Sequence, residues 1–152
     1  MRNRRAARFQ VWYVCLFAGT EYRFGNDKFG GDDPVMGFDC SGIVSESERA
    51  LGYLPVSARM NCQMFFDQYV EMGCRVQKPK MGCYAFYGSS ESDVSHMGIC
   101  MDNTSLIQAG GGDSRTKDEE RAAERNAFVQ VRPIHYRGDL LGFMDPHLKV
   151  KR

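Results

Sequence analysis

With 152 residues, 43% of them hydrophobic and 26% charged, the chain is long enough to bury a core and is composed like an ordinary globular protein. A formal net charge of +1, with no stretch in which basic residues interleave with aromatics, excludes a dedicated nucleic-acid binder. No apolar run is long enough to span a bilayer, so no membrane association is expected.

The simplest organisation is one domain over residues 1–152, with 1–5 and 147–152 as loose ends. Residues 6–18 predict an amphipathic helix with Phe9, Trp12, Tyr13, Leu16 and Phe17 as its apolar stripe and Gly19 as its stop. The basic start and the apolar run after it have the outline of a secretory leader. Gln10 interrupts the run and no small-residue cleavage site follows, so the segment reads as part of the fold.

A Gly/Asp-rich loop over 26–37 leads into Gly37-Phe38-Asp39-Cys40-Ser41-Gly42. Gly37 supplies backbone freedom and Asp39 an N-cap, which puts Cys40 on the first turn of a helix ending near Gly52 and Pro55. There the helix dipole and the unpaired amide N–H groups favour thiolate, the form that attacks a carbonyl, and the same N–H groups can hold an oxyanion. A further helix is expected over 58–72, with Met60, Met64, Phe65 and Tyr69 at helical spacing and Gly73 at its end.

The pattern then changes to period two. Residues 83–87, 94–101, 104–109 and 127–134 read as short strands, with Asp102-Asn103 as the turn between the second and third. The charge run over 113–126 reads as a solvated loop or short exposed helix, and the tail over 138–146 returns to the body. Helices first and a sheet afterwards indicate an α+β fold.

The six cysteines, at 15, 40, 62, 74, 83 and 100, form no Cys-x-x-Cys pair, and with three histidines no zinc-site spacing appears. They read as free thiols made in a reducing compartment. Of the histidines, His96 is best placed as the base, because it opens the apolar strand His96-Met97-Gly98-Ile99-Cys100-Met101. A turn at Asp102-Asn103 places Gln108 roughly opposite His96 on the same face, where its carbonyl can accept from the imidazole and set its tautomer.

These segments resemble the NlpC (p-sixty) cell-wall cysteine peptidases, a papain-like family. The family pattern stands here as Gly19-Thr20-Glu21-Tyr22-Arg23-Phe24-Gly25, then Phe38-Asp39-Cys40-Ser41-Gly42-Ile43-Val44. His96-Met97-Gly98-Ile99 and Leu106-Ile107-Gln108-Ala109 follow in the same order. The resemblance implies N-terminal helices packed on a small antiparallel sheet and hydrolysis of amide bonds in peptidoglycan stem peptides, without metal or cofactor. It makes Cys40 the nucleophile, His96 the base and Gln108 the third member, with the Tyr22 hydroxyl assisting beside the oxyanion.

Three departures accompany the match. The family's third position is commonly histidine, and His135 is an alternative to Gln108. The family's Pro-Gly-Asp-Leu turn appears only as Met81-Gly82-Cys83-Tyr84, and the loop between Tyr22 and Cys40 is long enough to shape the substrate cleft. The stretch Gln108-Ala109-Gly110-Gly111-Gly112 and the tail Leu141-Gly142-Phe143-Met144-Asp145-Pro146 resemble the phage-encoded branch. That branch implies a tail-associated or lysis protein, with bacterial peptidoglycan and phage tail-tip proteins as partners. The absence of a leader fits synthesis in the bacterial cytoplasm and incorporation into a virion. A structural tail module with little activity, and an acyltransferase on the same fold, remain rival readings.

Overall fold

A computed structural model describes residues 1–25, 37–113 and 115–148. Three helices come first, α1 (Arg4–Cys15), α2 (Cys40–Ala50) and α3 (Cys62–Glu71). They are followed by β1 (Arg75–Val76), β2 (Tyr84–Ser90), β3 (Asp93–Cys100) and β4 (Ser105–Gly110). The short helix α4 (Glu119–Glu124), β5 (Phe128–Pro133), a 3-10 turn (Ile134–Tyr136) and β6 (Leu140–Met144) complete the order. The strands form one antiparallel sheet in the order β1-β6-β2-β3-β4-β5. This is the expected α+β architecture.

Side chains alternate across the sheet as a strand's period of two requires. Tyr84 and Phe86 of β2 join the main core with Ile43, Val44, Phe65, Tyr69, Met97 and Ile99, while Ala85 and Tyr87 face a smaller cluster containing Leu106, Ile134 and Phe143. Helices α2 and α3 lie against β3, and α1 packs on α2.

The expected stripe is buried only in part: Phe17, just past α1, joins the core and Tyr13 packs against it. The inward residues of α1 are Ala7, Gln10, Val11 and Val14, whereas Phe9, Trp12 and Leu16 are exposed, Trp12 by 59%. The polar contacts of Gln10 show why. Its amide donates to Ser47 Oγ at 2.9 Å and Tyr84 Oη at 2.6 Å, and its oxygen accepts from His147 Nε2 at 2.9 Å. Such a buried amide is stable only when paired, so these distant partners dictate the helix's rotation.

The same network ties down residues 2–3 and 147–148, which fall within the segments expected to be loose. His147 is buried and contacts Tyr53 Oη through Nδ1, Leu148 bridges to Arg2, and Arg2 pairs with Asp145 at 2.5 Å. Gly82, in the segment departing from the family pattern, has φ +86 and packs so closely that a Cβ would lie 2.9 Å from Ala7 Cβ and His147 Nε2. Residues 149–152 lie outside the described residues.

Helix α3 begins later than expected, because Asn61 adopts an extended conformation (φ −91, ψ 175) and caps it by accepting from the Met64 N–H at 2.9 Å. Phe65, Phe66 and Tyr69 point inward, and Met64 is exposed. The tail becomes β6, inserted between β1 and β2, and the two-residue β1 was not anticipated. In the charge run, α4 buries only Ala122 among its own residues.

Candidate active site

The site is built where the start of α2 meets β3 and β4. Asp39 is the N-cap of α2: its Oδ1 accepts from the Gly42 N–H at 2.7 Å, and its Oδ2 accepts from the Gly25 N–H at 2.9 Å. Arg59, half exposed, stands 3.8 Å from the same carboxylate. Cys40 is therefore the first residue of α2, as the sequence predicts. Gly37 is needed for close approach, since a Cβ there would lie 2.4 Å from the Glu21 carbonyl oxygen. That approach lets the Phe38 N–H bond Glu21 O at 3.1 Å and the Arg23 N–H bond Phe38 O at 3.2 Å, which straps Tyr22 beside Asp39 and Cys40.

The Tyr22 ring is held from its other side by the chain at Gly112, where a Cβ would fall 2.2 Å from Tyr22 Cδ1. Burial, reinforced by the neighbouring Cys40 charge, pushes the Tyr22 phenol well above its ordinary value, so it remains a hydrogen-bond donor. The loop over 26–36, expected to shape the cleft, lies outside the described residues.

His96 is a buried residue of β3, and the Tyr87 ring lies 5.7 Å from its imidazole. Its Nε2 bonds Gln108 Oε1, and the Tyr136 hydroxyl donates to the same oxygen at 2.8 Å. A carbonyl oxygen can only accept, so Nε2 carries the proton and Nδ1 is left for the Cys40 thiol. Gln108 does not sit directly across from His96 as expected. The ladder pairs Ile99 with Ile107 and Cys100 with Leu106, two residues out of the expected register. Both side chains keep the same face because the shift is even.

The other candidate, His135, is exposed on the 3-10 turn. Its neighbour Tyr136 is the residue that reaches Gln108, and the Tyr87 hydroxyl holds the turn by donating to the Ile134 carbonyl at 2.7 Å. Tyr136 escaped the sequence reading, which had no means of placing it near Gln108.

A second missed residue is Cys62, whose Sγ lies 3.4 Å from Cys40 Sγ. Its signal was available: Asn61-Cys62 repeats the arrangement of a capping residue followed by a cysteine on the first helical turn. The Cys62 thiol is the strongest influence holding Cys40 well below the usual thiol range; burial opposes it, and the hydrogen bond and charge of His96 act with it. Cys62 is correspondingly pushed well up. Burial, followed by the Cys40 charge, raises the Asp39 carboxyl to about 6.

Around Cys40 opens a cleft of about 380 Å³, lined among others by Tyr22, Phe24, Asp39, Arg59, Cys62 and Ser95. The depressed Cys40 thiol and the buried Tyr22 phenol line it, and the His96 imidazole, oriented by Gln108, acts on the thiol from the adjoining strand, a set of groups suited to attack on an acyl carbon. The sequence pattern carrying these groups matches the model of the NlpC/P60 family over residues 19–133. The chain belongs to the NlpC/P60 family.

Solved structures share its papain-like NlpC/P60 fold. The peptidoglycan hydrolase RipB of Mycobacterium tuberculosis is 22% identical with a TM-score of 0.66, the match covering 98% of this chain and 67% of RipB. A P60 domain from an antigen of M. avium subspecies paratuberculosis is 20% identical with a TM-score of 0.59, covering 93% of this chain and 94% of that domain. An NlpC/P60 family protein from Bacillus cereus is 15% identical with a TM-score of 0.68, and this chain spans only 40% of its length. No curated protein matches the sequence.

Proposed function

We propose that this NlpC/P60 chain is a cysteine peptidase that hydrolyses amide bonds in the stem peptides of bacterial peptidoglycan. The observation that carries the proposal is the buried Cys40 thiol at the start of α2, held below its ordinary range by Cys62 and by a His96 imidazole whose Nε2 is fixed by Gln108. The wall as substrate is supported by the family and by the likeness to RipB, a peptidoglycan hydrolase.

The Cys40 thiolate attacks the amide carbonyl, and negative charge develops on its oxygen. The Cys40 backbone N–H and the protonated Tyr22 hydroxyl are the donors placed to receive that charge. His96, protonated at Nδ1, gives its proton to the departing amine, leaving a thioester on Cys40. The neutral imidazole then takes a proton from water as the water attacks the thioester, and the thiolate is released. Gln108 and Tyr136 act as positioning residues throughout.

The resemblance of 108–112 and 141–146 to phage-encoded members supports a setting in the virion. There the protein is made in the bacterial cytoplasm, assembled with tail-tip proteins and used on the wall. A structural module of the same fold is the second reading, favoured by glutamine where the family's third position is commonly histidine.

Purified protein is expected to release fragments from labelled cell walls, with Cys40→Ala inactive. Mass analysis of the muropeptides then identifies the bond cut. Wall digestion that survives Cys40→Ala overturns the mechanism, and a folded wild type that releases nothing from any wall type favours the structural module. Detection of the chain in purified phage particles tests the virion setting.

A further inference from the structure

The mechanism gives no covalent role to Cys62, yet of the six free cysteines it is the one whose sulfur meets the nucleophile. The two sulfurs are 3.4 Å apart, each on the first residue of its helix, and both line the same cleft. Contraction to the roughly 2.05 Å of a disulfide is a small displacement for side chains at helix starts. Cys62 follows an extended cap residue, so it lies at the edge of α3 and not within its ladder.

The other cysteines lack this setting. Cys15 lies on α1, and burial pushes its thiol up. Cys74 contacts the Met72 carbonyl at 3.9 Å, and Cys83 accepts from the Lys80 N–H at 3.4 Å. Cys100 belongs with Cys83 to the smaller cluster across the sheet from the cleft, where burial raises both thiols. A redox-sensitive cysteine needs thiolate character, access for a small oxidant and a second thiol within reach, and only Cys40 combines all three among the described residues.

We propose that Cys40 and Cys62 form a redox pair that peroxide converts into a reversible disulfide, closing the site until a thiol reductant reopens it. In the first step the Cys40 thiolate attacks one oxygen of hydrogen peroxide; the O–O bond breaks, the sulfur becomes a sulfenic acid, and hydroxide leaves. In the second, Cys62 sulfur attacks Cys40 sulfur; the S–O bond breaks, and the hydroxyl departs with the Cys62 proton as water. Overall two thiols are oxidised and one peroxide is reduced to two waters. A dithiol reverses the change by thiol–disulfide exchange and is itself oxidised. With a resolving thiol this close, Cys40 is intercepted as sulfenic acid before its irreversible oxidation to sulfinic acid. The loss of wall hydrolysis on oxidation rests on the peptidase reading; the disulfide itself does not.

The test is peptide mapping of the full chain after hydrogen peroxide treatment and alkylation of the remaining thiols. The expected product is lighter by two hydrogens and contains a peptide pair joining Cys40 to Cys62, with fragmentation separating Cys62 from Cys74 on the same tryptic peptide. Dithiothreitol is expected to restore both free thiols and, in the same samples, wall hydrolysis. In Cys62→Ser, Cys40 is expected to take up two oxygens irreversibly. If that variant does not fold, the wild-type map decides alone. A wild type that shows only oxygen addition at Cys40, or that links Cys83 to Cys100 instead, overturns the proposal. A Cys40–Cys62 link in a protein that is inactive even when reduced leaves the redox pair standing and removes the peptidase reading.

Discussion

His96 and Gln108 meet diagonally across the β3–β4 pair, and Gly98 makes the meeting possible. Continuing the ladder from Ile99–Ile107 places Gln108 opposite Gly98, not opposite His96. A Cβ on Gly98 would lie 3.2 Å from Gln108 Cβ and 2.6 Å from Leu106 Cδ1. With no side chain there, Gln108 leans along the strand and brings Oε1 to the imidazole. Diagonal neighbours on one face are within reach of long side chains.

Gln108→Ala removes the acceptor that holds Nε2. Loss of one buried hydrogen bond costs about 1–3 kcal/mol, so kcat for wall hydrolysis is expected to fall roughly five- to 150-fold. His135→Ala, at an exposed position, is expected to leave kcat unchanged. Equal losses in the two variants would reverse the assignment of the third member.

Tyr22→Phe deletes the hydroxyl while keeping the ring that packs beside Gly112. If the hydroxyl stabilises the oxyanion, kcat drops by about 10²–10³ while iodoacetamide still alkylates Cys40 at nearly the wild-type rate. A parallel loss of alkylation would instead assign Tyr22 to activation of the thiol.

The Asp39 carboxyl is raised from 3.8 to about 6, chiefly by burial. A folded pKa above the unfolded one means that the folded protein keeps a proton the unfolded chain has lost. The contribution is therefore fully present below about pH 4 and is lost as pH rises through about 6, on the order of 3 kcal/mol. Asp39→Asn retains an oxygen for the Gly42 N–H and cannot ionise. Urea unfolding should show this variant gaining on the wild type between pH 4 and pH 7; a constant difference contradicts the raised carboxyl.

The two faces of α1 predict unlike outcomes. Trp12→Ala should change stability by no more than about 0.5 kcal/mol, as exposed substitutions do. Gln10→Ala removes the hydrogen bonds its amide makes to Ser47, Tyr84 and His147, while the two hydroxyls keep the Val44 carbonyl and Glu48 as acceptors, and is expected to cost about 1–3 kcal/mol. Denaturant midpoints measured side by side check both.

Much of the site was legible because its signals are local. Asp39 caps the helix that begins at Cys40 through contacts within three residues, and alternation along 94–101 and 104–109 reports which side chains share a face. The order of these segments was enough to indicate the family and the α+β fold. Even the two-residue error in register preserved the pairing of His96 with Gln108, because side-chain direction repeats every two residues.

What the sequence alone could not decide depended on partners far away along the chain. The aromatic stripe of α1 was as apolar as the face that is buried; Gln10 chose between them by bonding His147, 137 positions on. Tyr136 and Cys62 acquire meaning only when folding sets them against Gln108 and Cys40. Local spacing placed a cysteine at the start of a helix and a histidine on a strand. The tertiary structure determined which second thiol shares the nucleophile's cleft, which hydroxyl braces Gln108, and which face of the first helix remains in water. Those outcomes follow from satisfying buried polar groups across elements, which no single segment encodes.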